Sequence, residues 1–169
     1  MYDVAIINYE MGNLYSVNSA CKKVGLSSII TSNEKIILKS KSIILPGVGA
    51  FSQAMQNIKK KKLNSVLLKF IKTQRPIVGI CLGMQLFFER SNELGGSDGL
   101  GLIKGEVVSI GKKFFKQNKE KLNIGWSSIH FKKENNLLKN CTNQSQMYFI
   151  HSFFCNPKNK KIITSTSKI

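Results

Sequence analysis

A cysteine between two glycines is the feature of this sequence best suited to chemistry. The stretch GICLG (79–83) follows the apolar run PIV and precedes the apolar run MQLFF. Gly-x-Cys-x-Gly between a buried strand and a helix predicts a nucleophile elbow, a strained bend that presents Cys81 at the carboxyl edge of a sheet. The N-terminus of the following helix stabilises a nearby anion such as a thiolate. The alternative is a cysteine buried as a small hydrophobe, but the flanking strand and helix favour the nucleophile.

A cysteine nucleophile also needs backbone donors that stabilise an oxyanion. The N–H of Leu82, directly after the cysteine, supplies one donor. The loop PGVGA (46–50) can supply a second, because Gly47 and Gly49 turn a backbone N–H toward a ligand at little steric cost. Taken alone, this stretch is more typical of an ordinary Pro-Gly turn.

The elements that position these residues alternate along the first half of the chain. Continuous apolar runs predict buried strands at 3–8, 27–31, 42–45 and 76–80. Helical periodicity predicts a first helix between Asn13 and Gly25, two helices after Phe51 that are separated by the lysine run 59–62, and a further helix opened by MQLFFERS. The face of the first helix is predicted to consist of Leu14, Val17, Cys21 and Val24.

This alternation predicts an α/β fold with a largely parallel sheet and right-handed crossovers. Beyond Gly95 the pattern changes, and GEVVSI, WSSIHF, MYFIHSFF and KIITSTS predict short added antiparallel strands. The length of 169 residues indicates one domain over 1–169.

The composition excludes several classes of function. The net charge is +17, but nearly all of it comes from dispersed lysines, with Arg75 and Arg90 the only arginines, so we expect no nucleic-acid partner. No apolar run is long enough to cross a bilayer, and the N-terminus is not a secretory signal. The four cysteines show no paired spacing, which favours a reducing cytoplasmic location and no metal site.

Five motifs carry a resemblance to a known family. NYEMGNL (8–14), LPGVGAF (45–51), GICLGMQLFFE (79–89), IGW (124–126) and YFIHSFF (148–154) occur in this order. The chain resembles the glutaminase subunits of imidazole glycerol phosphate synthase, which are class I glutamine amidotransferases of histidine biosynthesis. The resemblance implies a flavodoxin-like, three-layer fold with a mostly parallel central sheet between helices.

The resemblance also implies roles for particular residues. Cys81 matches the nucleophile, which attacks the carboxamide of L-glutamine and forms a thioester that water hydrolyses to glutamate, with release of ammonia. The PGVG loop matches the family's oxyanion strand, in which a peptide turns over before an N–H faces the oxyanion. The matching oxyanion residues are Leu82, Gly47 and Val48, and the matching substrate-binding residues are Gln85, Gly49, Glu93, Ser152 and Phe153. No cofactor or metal is implied.

One part of the family pattern is absent from the 169 residues. Family members carry a His-Pro-Glu motif that contains the general base and the group that orients it, whereas this sequence has only His130 and His151, neither followed by Pro-Glu. We expect His151 to be a hydrogen-bonded strand histidine and His130 an exposed or edge-strand residue. The expectation is a C-terminally incomplete domain, either a fragment or a decayed product, whose turnover is lost without the base. A partner that supplies the missing groups is a third account.

The family implies a heterodimer with a (β/α)₈ cyclase barrel that receives the ammonia. We expect the docking face to surround the mouth of the Cys81 site, with NYEMGNL at its edge. Two other functions stay open: a second copy of the subunit that feeds ammonia to amidation of surface-polysaccharide sugars, and a catalytically dead docking module.

Overall fold

The computed structural model describes residues 1–111, 122–133 and 136–168. The chain divides into two compact units, Met1–Ile103 and Lys104–Ile169. One domain over residues 1–169 stays a prediction. Among the described residues, no helix is both long and apolar enough to span a bilayer.

A four-stranded parallel sheet forms the centre of the first unit. Its order is β2-β1-β3-β4, and each neighbouring pair is parallel, as the sequence predicts. All four residues of β1 are buried, which explains why this strand is continuously apolar. The strands are β1 (Val4–Ile7), β2 (Ser28–Thr31), β3 (Ser42–Leu45) and β4 (Ile77–Gly79).

Helices connect these strands and flank the sheet. They are α1 (Leu14–Lys23), α2 (Glu34–Lys39), α3 (Phe51–Lys60), α4 (Leu63–Ile71) and the single turn α5 (Leu82–Gln85). The Asn13 side chain caps α1 by accepting a hydrogen bond from the Ser16 N–H at 3.1 Å, as expected. The break between α3 and α4 is also confirmed, because Lys62 adopts a left-handed conformation with φ of 56°.

One face of α1 packs on the sheet through Cys21, Leu14 and Val17, which contact a cluster containing Val4 and Ile6. The inclusion of Val24 in this face is wrong. Val24 is 72% exposed, because it lies at the C-terminal cap of α1, where the helix has already ended.

The helix predicted from MQLFFERS is wrong beyond its first turn. After α5 the chain becomes extended and forms β5 (Phe88–Ser91), which pairs antiparallel with β6 (Ser97–Asp98). Phe88 and Ser91 are buried while Glu89 and Arg90 between them are exposed. The pairing of this segment with a hairpin partner replaces the intrahelical hydrogen bonds that a longer helix would make.

The second unit contains the added antiparallel strands. β7 (Ile103–Ser109), which begins at the boundary between the units, pairs with β10 (Phe153–Pro157). β8 (Asn123–Phe131) lies between β9 (Gln146–His151) and β11 (Ser165–Ser167). MYFIHSFF is therefore two strands, separated at Ser152.

Candidate active site

Three loops of the first unit leave the same edge of the parallel sheet. Tyr9 follows β1, Pro46 to Gly49 follow β3, and Cys81 follows β4. Because the strands are parallel, their carboxyl ends meet at one edge, which is where open α/β folds bind ligands. The sheet order therefore brings the predicted nucleophile and the predicted oxyanion loop together.

The backbone at Cys81 is a strained bend. Its φ of 53° and ψ of −116° lie outside the regions that a residue with a Cβ ordinarily adopts, and the side chain is exposed. A Cβ on Gly79 would lie 2.5 Å from the backbone N of Met84, and a Cβ on Gly83 would overlap the carbonyl oxygen of Leu45. Close backbone therefore requires glycine at both positions.

The helix behind Cys81 is shorter than predicted. α5 contains four residues, and the Cys81 carbonyl accepts hydrogen bonds from the N–H groups of Met84 and Gln85 at 3.0 and 3.2 Å. A single turn has a much smaller dipole than a long helix. The dipole beside the thiol is therefore weaker than the one that a long helix would supply.

The predicted oxyanion donors belong to the elbow itself and to the loop after β3, which packs against it. Leu82 is the first residue of α5, a position whose N–H has no intrahelical acceptor. Gly47 lies against the elbow, since a Cβ there would be 3.0 Å from both the Gly83 N and the Leu82 Cβ. In the part of the chain that the structure describes, the N–H groups of Gly47 and Val48 have no hydrogen-bond acceptor. Leu82 and Gly47 are buried whereas Val48 is exposed, and the role of these N–H groups in stabilising an oxyanion stays a prediction.

Tyr9 is a residue of this edge that the sequence analysis missed. Its fully buried hydroxyl donates a 2.6 Å hydrogen bond to the carbonyl of Pro46. Burial raises the pKa of Tyr9 far above its ordinary value, and the charge of a Cys81 thiolate adds to this effect. Tyr9 is thus a hydrogen-bond donor at neutral pH and does not supply a general base. A tyrosine directly after the first buried strand, at the ligand edge, is the signal that could have identified it.

The remaining residues matched by resemblance lie in different places. Gln85 ends α5 and is half-buried. Glu93 is half-buried and accepts a hydrogen bond from the backbone N–H of Phe51 at 2.8 Å. Ser152 and Phe153 belong to the second unit, where the Ser152 carbonyl accepts a hydrogen bond from Ile110 and Phe153 begins β10. The binding of glutamine by these residues and by Gly49 stays a prediction.

Both histidines belong to the second unit. His151 Nδ1 lies 2.9 Å from the Phe153 carbonyl, which can only accept, so this nitrogen carries the proton. Nε2 lies 3.1 Å from the amide nitrogen of Asn123. The expectation of a hydrogen-bonded strand histidine is confirmed. The expectation that His130 is an exposed or edge-strand residue is wrong, because it is half-buried in β8, which lies between β9 and β11, and pairs with Thr166 of β11.

Comparison with known proteins agrees with this arrangement. The family model of class I glutamine amidotransferases matches residues 5–168. The chain belongs to the class I glutamine amidotransferase family.

Individual proteins similar to this chain are named as subunits of one enzyme of this class. The chain is 40% identical over 150 residues to the imidazole glycerol phosphate synthase subunit HisH of Sulfurimonas denitrificans. The aligned region covers 89% of this chain and 72% of the relative. It is 38% identical to the HisH subunit of Wolinella succinogenes, over 97% of this chain and 80% of the relative.

Solved structures support the fold alone. A glutamine amidotransferase crystal structure superposes with a TM-score of 0.71 at 13% identity, covering 96% of this chain and 79% of the other. The structure of PurLQS from Thermotoga maritima gives the same TM-score at 15% identity, over 99% and 75% of the two chains.

Proposed function

We propose that this chain is the glutaminase subunit of imidazole glycerol phosphate synthase and that Cys81 is its nucleophile. The observation that carries the proposal is the exposed cysteine on a strained bend, against which the oxyanion loop packs through Gly47. Membership of the amidotransferase family supports the choice of glutamine as substrate.

The proposed reaction has two steps. The Cys81 sulfur attacks the carboxamide carbon of glutamine, and the carbonyl oxygen becomes an oxyanion that the N–H groups of Leu82 and of Gly47 or Val48 stabilise. The C–N bond then breaks, ammonia leaves with a proton, and a glutamyl thioester remains. Water attacks the thioester and releases glutamate and the thiol, so that glutamine and water give glutamate and ammonia.

Proton transfer to the leaving ammonia is the step for which the first unit offers the fewest suitable groups. Residues 1–103 contain no histidine, Tyr9 holds its proton, and both ring nitrogens of His151 are engaged within the second unit. For a polypeptide of residues 1–169 alone, we therefore expect Cys81 to react with a glutamine analogue faster than it turns over glutamine.

A labelling experiment tests the nucleophile. The chain is incubated with a glutamine analogue that carries a diazoketone in place of the carboxamide, with and without excess glutamine, and the modified residue is located by peptide mass spectrometry. We expect one adduct at Cys81 that glutamine suppresses and that Cys81→Ala abolishes. The half-buried Cys141 and Cys155 are internal controls. Equal labelling of all three thiols, or labelling that glutamine does not slow, contradicts the proposal.

The name of the relatives supports a partner subunit, and we propose that this partner is the cyclase barrel that consumes the ammonia. Apolar side chains are exposed beside the nucleophile, at Val48, Ile80 and Met84. In the second unit, the β8–β9 hairpin exposes Ile124, Trp126, Tyr148 and Ile150 on one face by more than half of each side chain. Exposed apolar groups of this kind are typical of surfaces that another protein covers.

A further inference from the structure

Tyr9 connects the loop after β1 to the loop after β3. Its hydroxyl and the Pro46 carbonyl are separated by 2.6 Å in a fully buried environment, although the residues are 37 positions apart in the sequence. A Cβ on Gly47 would overlap the same hydroxyl. The tyrosine therefore contacts both residues of the first peptide of the oxyanion loop.

The hydrogen bond fixes the orientation of that peptide. A trans peptide is planar, so its carbonyl and N–H point in opposite directions. With the Pro46 carbonyl directed at Tyr9, the Gly47 N–H is directed away from Tyr9, and rotation of this peptide would break a buried hydrogen bond. Such a bond is expensive to lose, because the carbonyl has no water to replace its donor.

The tyrosine is itself held from the other side. The Asn57 amide of α3 donates to the Tyr9 backbone carbonyl at 3.1 Å. The next residue, Glu10, forms a 2.8 Å ion pair with Lys61 after α3. Gly12, whose φ is 105°, approaches the Gly47 N so closely that a Cβ would lie 3.3 Å from it. The segment 9–12 is thus anchored to α3 and packed on the oxyanion loop.

We propose that Tyr9 is a positioning residue that sets the oxyanion loop against the Cys81 elbow by holding the Pro46 carbonyl, an inference that rests on the proposed glutaminase function. Tyr9 contacts the loop, and its fully buried side chain has no surface open to a substrate. Its loss should therefore reduce stabilisation of the oxyanion, which forms only in the transition state, and leave binding of ground-state glutamine almost unchanged.

The variant Tyr9→Phe removes the hydroxyl and keeps the ring. We expect kcat for glutamine hydrolysis by the full chain, with its cyclase subunit, to fall about tenfold, which is less than the 10²–10³ seen when an oxyanion donor itself is removed. The KM for glutamine should stay within about twofold of the wild type. Amide hydrogen exchange of the peptide covering 45–51 should become faster.

Ser42→Ala is the matched control. The Ser42 hydroxyl also donates a partly buried hydrogen bond to a backbone carbonyl, that of Asp3, at 2.7 Å. Ser42, however, lies at the opposite end of β3 from Pro46. This control should lower thermal stability in a similar way while leaving kcat and the exchange of 45–51 at wild-type values. A parallel fall of kcat in both variants, or a wild-type kcat in Tyr9→Phe, overturns the inference.

Two further measurements keep the test decisive. If Tyr9→Phe does not fold, Asn57→Ala replaces it, since this change frees the Tyr9 backbone and should give a smaller fall in kcat with the same unchanged KM. If the wild type neither hydrolyses glutamine nor reacts with the diazoketone, the proposed function has failed. Hydrogen exchange of 45–51 then decides the inference alone, and unchanged exchange in Tyr9→Phe overturns it.

Discussion

The carboxylate of Glu93 accepts a hydrogen bond from the backbone N–H of Phe51, with 2.8 Å between Oε2 and N. Phe51 is the first residue of α3, and Ala50 before it has no side chain that could cap the helix. Glu93 therefore caps α3 from a distant part of the chain, and its negative charge lies at the favourable end of the helix. The cap also fixes the exit of the oxyanion loop.

We expect Glu93→Ala to lower the free energy of unfolding by about 1–2 kcal/mol, the usual cost of a lost helix cap. Glu93→Gln keeps an acceptor oxygen and should stay within about 0.5 kcal/mol of the wild type. If Glu93 also binds the ammonium group of glutamine through its second oxygen, Glu93→Gln raises the KM without changing stability. Urea denaturation and glutaminase kinetics provide the two measurements.

Glu34→Gln is the control for this pair, because Glu34 lies in the first turn of α2 and forms a surface ion pair with Lys69. Glu34→Gln should leave both the free energy of unfolding and the KM for glutamine close to the wild-type values. Wild-type stability in Glu93→Ala would show that the cap contributes nothing, and a wild-type KM in Glu93→Gln would remove Glu93 from the substrate site.

Because the backbone at Cys81 is strained, we expect glycine at this position to stabilise the protein relative to alanine, the reverse of the usual order. At φ of 53° and ψ of −116°, alanine keeps the strain whereas glycine relieves it. We expect Cys81→Gly to be more stable than Cys81→Ala by about 1–2 kcal/mol, as measured by chemical denaturation. The same pair of changes at Met84, within α5, should show the opposite sign, with glycine less stable by about 0.5–1 kcal/mol. If the glycine variant were less stable than the alanine variant at both positions, this would argue against backbone strain at Cys81.

The part of the site that local sequence determines was predictable. The glycines around Cys81 and the apolar runs that became β1 and β3 form patterns that neighbouring residues of the sequence display, although the close contact that excludes a Cβ at Gly83 is with the distant Leu45 carbonyl. The hydrogen bonds of Tyr9 to Pro46 and of Glu93 to Phe51 join residues about forty positions apart, and nothing in the local pattern indicates them. They depend on the sheet order, which brings separate loops together.

Two elements show why the fold was only partly predictable. α2 was missed because six residues offer less than two turns of periodicity, although Asn33, which caps it by accepting from Lys35 and Ile36, was a usable signal. The opposite error occurred after α5, where an apolar run without clear periodicity was interpreted as a helix. Its extended form depends on pairing with β6, a tertiary contact.

Gly83 should be the least replaceable glycine of the elbow. A Cβ there would overlap the Leu45 carbonyl oxygen, which already accepts a hydrogen bond from Ile80 at 3.0 Å, so backbone must move. We expect Gly83→Ala to lower the free energy of unfolding by about 3 kcal/mol, the upper end for overpacking. Gly25→Ala, with φ of 79° but open space around it, should lose only about 1 kcal/mol. Similar losses in urea denaturation would contradict a steric role for Gly83.

The stability of the first unit should depend on pH through Asp3. Its carboxylate accepts hydrogen bonds from the N–H and hydroxyl of Ser27 and pairs with Lys41 at 2.8 Å. The Lys41 contact, followed by those of Ser27, holds the pKa of Asp3 well below its ordinary value. A depressed pKa in the folded state means that the stabilisation is complete above the unfolded pKa of about 4 and is lost as the pH falls below it.

We therefore expect the difference in unfolding free energy between the wild type and Asp3→Asn to be constant above about pH 5 and to shrink below about pH 4. Urea denaturation at a series of pH values measures it. Lys41→Met should weaken this pH dependence, because it removes the largest cause of the shift. A difference that stays constant down to about pH 3 would show that the Asp3 contacts do not stabilise the folded state.

The exposed face of the β8–β9 hairpin provides a test of the partner. Trp126 is 70% exposed and packs edge-on against Tyr148, with 5.6 Å between ring centroids. If the cyclase barrel covers this face, Trp126→Ala should weaken binding by at least about 2 kcal/mol, as truncation of a central aromatic residue does. The stability of the free chain should change by less than about 1 kcal/mol, because little area is buried. Titration calorimetry with the cyclase subunit of the same genome measures the affinity.

Trp126 is the only tryptophan of the sequence, so a chain labelled with 5-fluorotryptophan reports directly on this face. Its single fluorine resonance should shift when the cyclase subunit is added, since the indole leaves water for a protein contact. Leu137→Ala, which alters an exposed apolar side chain in a 3₁₀ turn of the connection between β8 and β9 rather than in the strands, is the control and should bind with wild-type affinity. Tight binding of the labelled chain without a fluorine shift would place the cyclase contact elsewhere. So would full affinity of Trp126→Ala for the cyclase subunit, because removal of an aromatic residue buried at an interface lowers the affinity.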